Sequence, residues 1–297
     1  MRGQSRAVKL VGNPKANPLR TYLASPARKR VSLILQPILA VRSRRYTSLS
    51  DSKPQRALVF GLWCIAHIKQ LCQGDVVVTI ADQAQFAAMR QAMVSNQLRT
   101  NAVSDPRLVA VMGRVPREAF LPAPVAGLAY RDTALPLGAG RAANVPIATG
   151  RLLNEAAILP TDHVLLIGAA GGYTAAVLAE MAAMVVAVES DAALVVIAQT
   201  ALAGNSRIQI VNGPLEQGHA AGAPYDVVVI DGAVPQVPQA LIDQLAIGGR
   251  LVTGIIDRGV TRLAAGRRSA GGFGLVDFAD VDCVGLPGFA IPKQFVF

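Results

Sequence analysis

The sequence predicts a doubly wound α/β fold: a mostly parallel sheet of seven strands with helices on both faces. Three observations predict it. The stretch from His163 to Glu189, HVLLIGAAGGYTAAVLAEMAAMVVAVE, reads as strand, glycine turn, helix, strand and acid. Other short, continuously apolar runs alternate with helical ones, as parallel strands buried on both faces do. The chain has 297 residues, 52% of them hydrophobic and 16% charged, which is enough for a large core.

The chain falls into two unequal parts, a basic N-terminal extension over residues 1–85 and a folded domain over residues 86–297. Residues 1–88 hold 14 Lys/Arg against 3 acids, and residues 89–297 hold 15 against 16. The net charge of +10 therefore belongs to the extension and gives no reason to expect nucleic-acid binding by the domain. Residues 1–56 are rich in Arg, Lys, Ser and Pro, with Asp51 the only acid. Three readings of them stand: a disordered basic arm, a targeting peptide, or residues ahead of the true translation start. The change of character near Met89 favours the third. Val31–Val41 is broken by Pro37, and Leu58–Ile68 is too short to span a bilayer. Cys64, Cys72 and Cys283 have no metal spacing and form no disulfide framework, so a reducing compartment is expected and no metal.

The domain then reads in order. Phe86–Thr100 places Phe86, Met89, Met93 and Val94 at helical spacing. A second helix follows Ser104 or Asp105 as cap, with Pro106 in its first turn. Pro116 ends it, and Pro122, Pro124 and Pro136 mark an irregular stretch. Leu152–Ala157 closes a helix before the first strand, His163–Ile167. Tyr173–Met181 is helical in composition, and Met184–Val188 is the second strand. Asp191 caps a helix to Ala203. Ile208–Val211, Asp226–Ile230 and Arg250–Ile255 are further strands, and Pro235–Leu245 is a helix. Leu275–Asp280 and Ala290–Phe297 read as a closing antiparallel pair.

A glycine turn at a helix N-terminus suits electron-rich ligands, and Glu189 stands about 20 residues beyond it, where an acid suits a ribose diol. The dinucleotide fingerprint would require glycine at Ala170 and glycine or alanine at Tyr173. A nucleoside without a pyrophosphate, such as S-adenosylmethionine, is the better reading, set against an ordinary βαβ turn. The candidate cofactor residues are Gly168, Ala169, Ala170, Gly171, Gly172, Glu189, Asn212, Gly213 and Asp231. Each has a plainer alternative: a solvated strand-end acid for Glu189, a common turn for Asn212-Gly213, and a helix cap for Asp231.

Gln97-Leu98-Arg99, Asp105 with Arg107, Val115–Phe120, Ala129-Tyr130, Asp132 and Leu135–Gly138, continued by VLLIGAAGGYTAAVLA and APYDVVVIDGAVPQVPQALIDQLAIGGRLV, resemble the protein-L-isoaspartate O-methyltransferases over about residues 89–297. The resemblance implies a Rossmann-like class I methyltransferase fold, S-adenosylmethionine as cofactor, and methylation of isoaspartyl residues in damaged proteins as a repair reaction. It implies a cytoplasmic monomer acting on isoaspartyl proteins or peptides, without nucleic acid or membrane as partner; the residues themselves give no oligomeric state. Four positions depart from the family pattern. Leu166 stands for a glutamate, Ala170 for a glycine, Pro214 for an aspartate facing adenine, and Asn144 for the reactive-site serine in Arg141–Pro146. Asn144 is the candidate catalytic residue, since its amide can donate to a carboxylate. A different substrate on the same fold and a non-catalytic binding protein are the competing functions.

Overall fold

Five apolar strands lie side by side in parallel, and their alternating side chains build a core on each face. A computed structural model of the chain describes residues 80–290, all within one unit, Val76–Phe297. The basic extension up to residue 79, with Val31–Val41, Leu58–Ile68, Cys64 and Cys72, lies outside the described residues, as does the predicted last strand beyond Ala290.

The chain enters through α1 (Ile80–Met93), a π turn at Val94–Leu98 and a 3-10 turn at Arg99–Asn101. Next come α2 (Pro106–Met112), a 3-10 turn at Arg117–Phe120 and α3 (Ala123–Ala126). A separate two-stranded hairpin, β1 (Leu135–Gly138) and β2 (Arg141–Ala143), leads to α4 (Pro146–Ala156). Then follow β3 (His163–Ile167), α5 (Tyr173–Ala179), β4 (Met184–Glu189), α6 (Ala192–Ala201) and β5 (Ile208–Asn212). The chain continues through β6 (Tyr225–Val234), α7 (Gln239–Asp243), β7 (Leu245–Asp257), β8 (Val260–Ser269) and β9 (Gly272–Ala279). The seven-stranded sheet runs β5-β4-β3-β6-β7-β8-β9. Strands β3 to β7 are parallel, and β8 and β9 close the edge as an antiparallel meander. Strand order reverses between β3 and β6, the place where an open α/β sheet leaves a crevice for ligands.

Period-2 alternation sorts the strand residues. Val164, Leu166, Val185, Ala187, Val227 and Val229 face one cluster, with Leu108 and Val109 of α2, Leu152 and Leu153 of α4, and Val177 and Leu178 of α5. Leu165, Ile167, Val186, Val188, Val228 and Ile230 face the other, with Leu215, Val237, Leu241, Leu286 and Phe289. Leu166 thus lies in the core and contributes packing. The first helix is tied down by charge as well as by apolar contact. Arg90 donates to the Tyr130 hydroxyl (2.7 Å) and to Glu118 (2.9 Å), and the Tyr130 hydroxyl donates to Glu118.

Three elements differ from the sequence expectation. The predicted helix Pro235–Leu245 is helical only over Gln239–Asp243, because Pro235 and Pro238 delay its start and Leu245 already pairs as strand β7. The antiparallel edge is built from β8 and β9; Leu275–Asp280 falls largely in β9, whereas β8 was not anticipated. Strand β6 runs past Asp231 to Val234, with a register shift against β7 between Val229 and Ala233. Both anticipated caps form. Asp105 accepts from the Arg107 N–H, and Asp191 accepts from the N–H groups of Ala193 (2.8 Å) and Leu194 (3.1 Å).

Replacing Asp191 by alanine removes the acceptor for two free helix N–H groups. The Asp191→Ala variant should lose about 1 kcal/mol of unfolding free energy, read by urea denaturation. An unchanged midpoint would mean that the cap does not stabilise α6.

Candidate cofactor site

The turn after β3 is shaped by backbone that most residues avoid. Gly168 has φ +82°, Ala170 +49° and Gly172 +101°. Left-handed geometry is natural for glycine and costs alanine roughly 1–2 kcal/mol, so Ala170 holds a conformation that a glycine would take freely. A Cβ on Gly171 would run into the Phe120 carbonyl, so the 3-10 turn at Arg117–Phe120 rests directly on the glycine loop. The Arg117 guanidinium lies 4.9 Å from the centroid of the Tyr173 ring.

Glu189 closes β4 in the crevice and is fully buried. Its carboxylate accepts six hydrogen bonds, the longest from the Ser190 hydroxyl to Oε1 (3.4 Å). Oε2 takes the Ala170 N–H (2.7 Å) and Arg141 Nη2 (2.8 Å), while Oε1 takes Arg141 Nε (3.2 Å) and the N–H groups of Ser190 (2.9 Å) and Asp191 (3.1 Å). Burial alone pushes the carboxyl pKa up. The hydrogen bonds and charge of Arg141, with the N–H groups of Asp191 and Ala170, outweigh that and hold it below the ordinary glutamate value of 4.5. Across the sheet, the Glu189 carbonyl accepts from the Gly213 N–H (3.1 Å) and from Asn212 Nδ2 (3.3 Å). Asn212-Gly213 therefore fixes the backbone of the acid as well as ending β5. Pro214 follows as the cap of a 3-10 turn.

Asp231 lies where β6 loses register with β7, an irregularity of the kind that re-aims a side chain. It does not cap the following helix, whose N-cap is Pro238. Instead its oxygens accept from Asn144 Nδ2 (3.1 Å), from the Thr149 hydroxyl (3.0 Å) and from the Thr174 hydroxyl. Asn144 is buried, and its amide is fully used: Nδ2 also donates to the Cys283 sulfur (3.1 Å), and Oδ1 accepts from the N–H groups of Val145 and Val284 (both 3.2 Å). Burial pushes the Cys283 thiol up to about 12, so it remains a neutral, weak acceptor.

The structure thus brings Gly168–Gly172, Glu189, Asp231 and Asn144 to one crevice, with Asn212 and Gly213 on the neighbouring strand end. Between the glycine turn, Asn144 and Asp231 lies a cavity of about 20 Å³, lined by Arg117, Ala143, Asn144, Gly168, Thr174 and Asp231 among others. Sequence reasoning missed Arg141, Thr149 and Thr174 as partners of the two acids. Thr174 is the second residue of the helix that follows the glycine turn, and a hydroxyl at that helix start is a usable signal. Arg141 and Glu189 are 48 residues apart, and no local pattern links them.

The family model described as protein-L-isoaspartate(D-aspartate) O-methyltransferase matches residues 88–284. A protein-L-isoaspartate O-methyltransferase 1 of Rhodopseudomonas palustris (strain HaA2) is 43% identical over 173 residues, 58% of this chain and 71% of the relative. A protein-L-isoaspartate O-methyltransferase of Methylorubrum populi is 39% identical over 201 residues, 67% of this chain and 95% of the relative. A solved protein-L-isoaspartate O-methyltransferase superposes with a TM-score of 0.59 at 22% identity, over 67% of each chain. A Plasmodium falciparum protein of that description, in complex with S-adenosyl-L-homocysteine, superposes with a TM-score of 0.57 at 18% identity, over 67% of this chain and 98% of its own. These two likenesses show the fold.

A carboxyl whose folded pKa lies below its unfolded value stabilises the fold above the unfolded value, and that contribution is lost as pH falls through the folded one. Glu189→Gln at neutral pH leaves Arg141 buried without its counter-charge, a loss of about 3 kcal/mol. Urea denaturation should show the full gap at neutral pH and a narrowing gap as pH falls below 4.5, where the unfolded chain takes up a proton on this carboxyl while the folded one still resists it. A gap that stays constant or widens in acid would contradict the pairing.

Proposed function

The chain belongs to the protein-L-isoaspartate(D-aspartate) O-methyltransferase family, and we propose that it transfers a methyl group from S-adenosylmethionine to the carboxylate of isoaspartyl residues in damaged proteins. The observation that carries the reading is the buried Glu189 carboxylate at the end of β4, joined to the glycine turn through the Ala170 N–H where strand order reverses. The residues present suit a nucleoside cofactor. The crevice has a strand-end acid at the ribose spacing and a turn with left-handed backbone.

S-adenosylmethionine supplies a methyl group activated on a cationic sulfur. Glu189 takes the ribose hydroxyls. Gly168, Ala169, Ala170, Gly171 and Gly172 let backbone approach the amino-acid half. Asn212 and Gly213 border the adenine edge, where Pro214 offers neither a side-chain acceptor nor an N–H. Asp231 sets a negative charge against the sulfonium, and Asn144, Thr149 and Thr174 hold its orientation. Methyl transfer asks for positioning more than for proton transfer. The Asn144 N–H now directed at the Cys283 sulfur is the donor most easily yielded to a substrate carboxylate, because a thiol is a weak acceptor.

We take residues 86–297 as the methyltransferase domain and residues 1–85 as an extension outside it; the start of the family match at residue 88 supports this boundary, although α1 begins ahead of it at Ile80. The protein is read as a cytoplasmic monomer that acts on isoaspartyl proteins or peptides, with no part for nucleic acid or membrane. No helix among the described residues is long and apolar enough to cross a membrane.

The test is methyl incorporation from labelled S-adenosylmethionine into an isoaspartyl peptide, with the aspartyl peptide as control. Incorporation into the isoaspartyl peptide alone is expected; cofactor binding without incorporation would point to another substrate, and no binding to a non-catalytic protein. Asn144→Ser should keep or raise the rate. Asn144→Leu should lower it at least tenfold, about 1.4 kcal/mol of transition-state stabilisation, and a leucine variant as active as the parent would remove Asn144 from the site.

A further inference from the structure

We propose that Arg141 is a built-in competitor for the cofactor: its guanidinium occupies the two Glu189 oxygens that a ribose diol requires, so it sets nucleoside affinity by how readily it gives way. This rests on Glu189 being the diol acceptor of the methyltransferase reading.

A carboxylate offers about four lone-pair positions, and Glu189 already accepts six hydrogen bonds. Three come from backbone N–H groups of Ala170, Ser190 and Asp191, which are fixed by the turn and by the start of the helix. Of the other three, the longest comes from the Ser190 hydroxyl to Oε1 (3.4 Å), and two come from the Arg141 edge, the one side-chain donor that reaches both oxygens. A vicinal diol cannot be added to the set; it can only replace Arg141. The shapes also match, since the Nε–Nη2 edge and a diol both present two donors side by side to two oxygens.

Space points the same way. Arg141 Nη2 lies 3.6 Å from where a Cβ on Gly168 would stand, so the guanidinium sits against the glycine turn itself. The cavity along the glycine turn, about 20 Å³, is far below what a nucleoside fills. Arg141 is also an incomplete fit in its present place. Its side chain is 4% exposed, yet its Nη1 has no hydrogen-bond partner. A guanidinium built only for structure would have all its buried donors satisfied.

The mounting suits displacement. Arg141 opens β2, whose hairpin with β1 forms a sheet of its own, apart from the seven-stranded one. The connection runs through Gly138, Ala139 and Gly140, with φ of +96°, +49° and +72°. A change confined to this hairpin would free Glu189 and leave the central sheet undisturbed. Ribose hydroxyls bring no positive charge, so exchanging them for Arg141 uncovers the Glu189 charge, and the parent should bind a neutral nucleoside less tightly than its residues would otherwise permit.

The full chain, Arg141→Gln and Arg141→Met are titrated calorimetrically with S-adenosylhomocysteine and with 5′-methylthioadenosine, which keeps the diol but lacks the amino-acid part. Thermal melts run in parallel. The glutamine variant leaves a neutral donor near Glu189 and guards against a methionine variant that fails to fold. Both ligands should bind each folded variant at least fivefold more tightly than the parent, and replacing Arg141 in a Glu189→Gln background should change nothing. Equal or weaker binding by folded variants, while the parent binds, overturns the competitor role and leaves the methyltransferase reading intact. Weaker binding of S-adenosylhomocysteine alone would make Arg141 a ligand of the amino-acid part, which also overturns it. If neither the parent nor any variant binds either ligand, both the proposal and the reading beneath it fail.

Discussion

The Glu189 carboxylate lies out of contact with solvent, and an unpaired charge there would cost several kcal/mol. Everything around it is arranged to lower that cost. The Ala170 N–H reaches it only because the glycine turn bends through left-handed backbone, and the Ser190 and Asp191 N–H groups reach it only because β4 stops there and α6 begins. Arg141 supplies the opposite charge from a hairpin outside the main sheet. One buried acid thus ties together the ends of β3 and β4, the start of α6 and the β1–β2 hairpin.

A second acid is held by a different kind of contact. Asp231 takes an amide and two hydroxyls, all uncharged donors, from α5, α4 and the segment between β2 and α4. Arg117 faces the same cavity and is turned instead to the carbonyls of Ala129 and Asn144, where burial lowers its pKa. Asp231 is therefore held by neutral donors without a formal ion pair, which suits a neighbour of a cationic ligand. Glu189, by contrast, is already neutralised by its own chain.

The parts of the fold written in local sequence were legible. The unit β3–α5–β4 was readable because apolar runs, glycines and Ala-rich helical residues each speak for themselves within a few positions. Strand β8 was not, because VTRLAAGRRS carries three arginines and no sustained apolar alternation; its pairing with β7 and β9 makes it a strand. The helix after Pro235 shrank because two prolines delayed it. In the site, Glu189 and Asp231 stood out as acids at strand ends. Asn144 is legible as an amide donor, but the partners its amide holds, Asp231, Cys283 and two backbone N–H groups, are not. Arg141 on Glu189, and the three side chains on Asp231, come from 48 to 87 residues away, and such pairings are decided by the fold as a whole.

The central claim is that Glu189 is a nucleoside acceptor reached through the diol. Calorimetric titration of the full chain with S-adenosylhomocysteine and with its 2′,3′-dideoxy analogue tests it most directly. The account predicts that removing the two hydroxyls weakens binding at least tenfold. Equal affinities for the two ligands would contradict it.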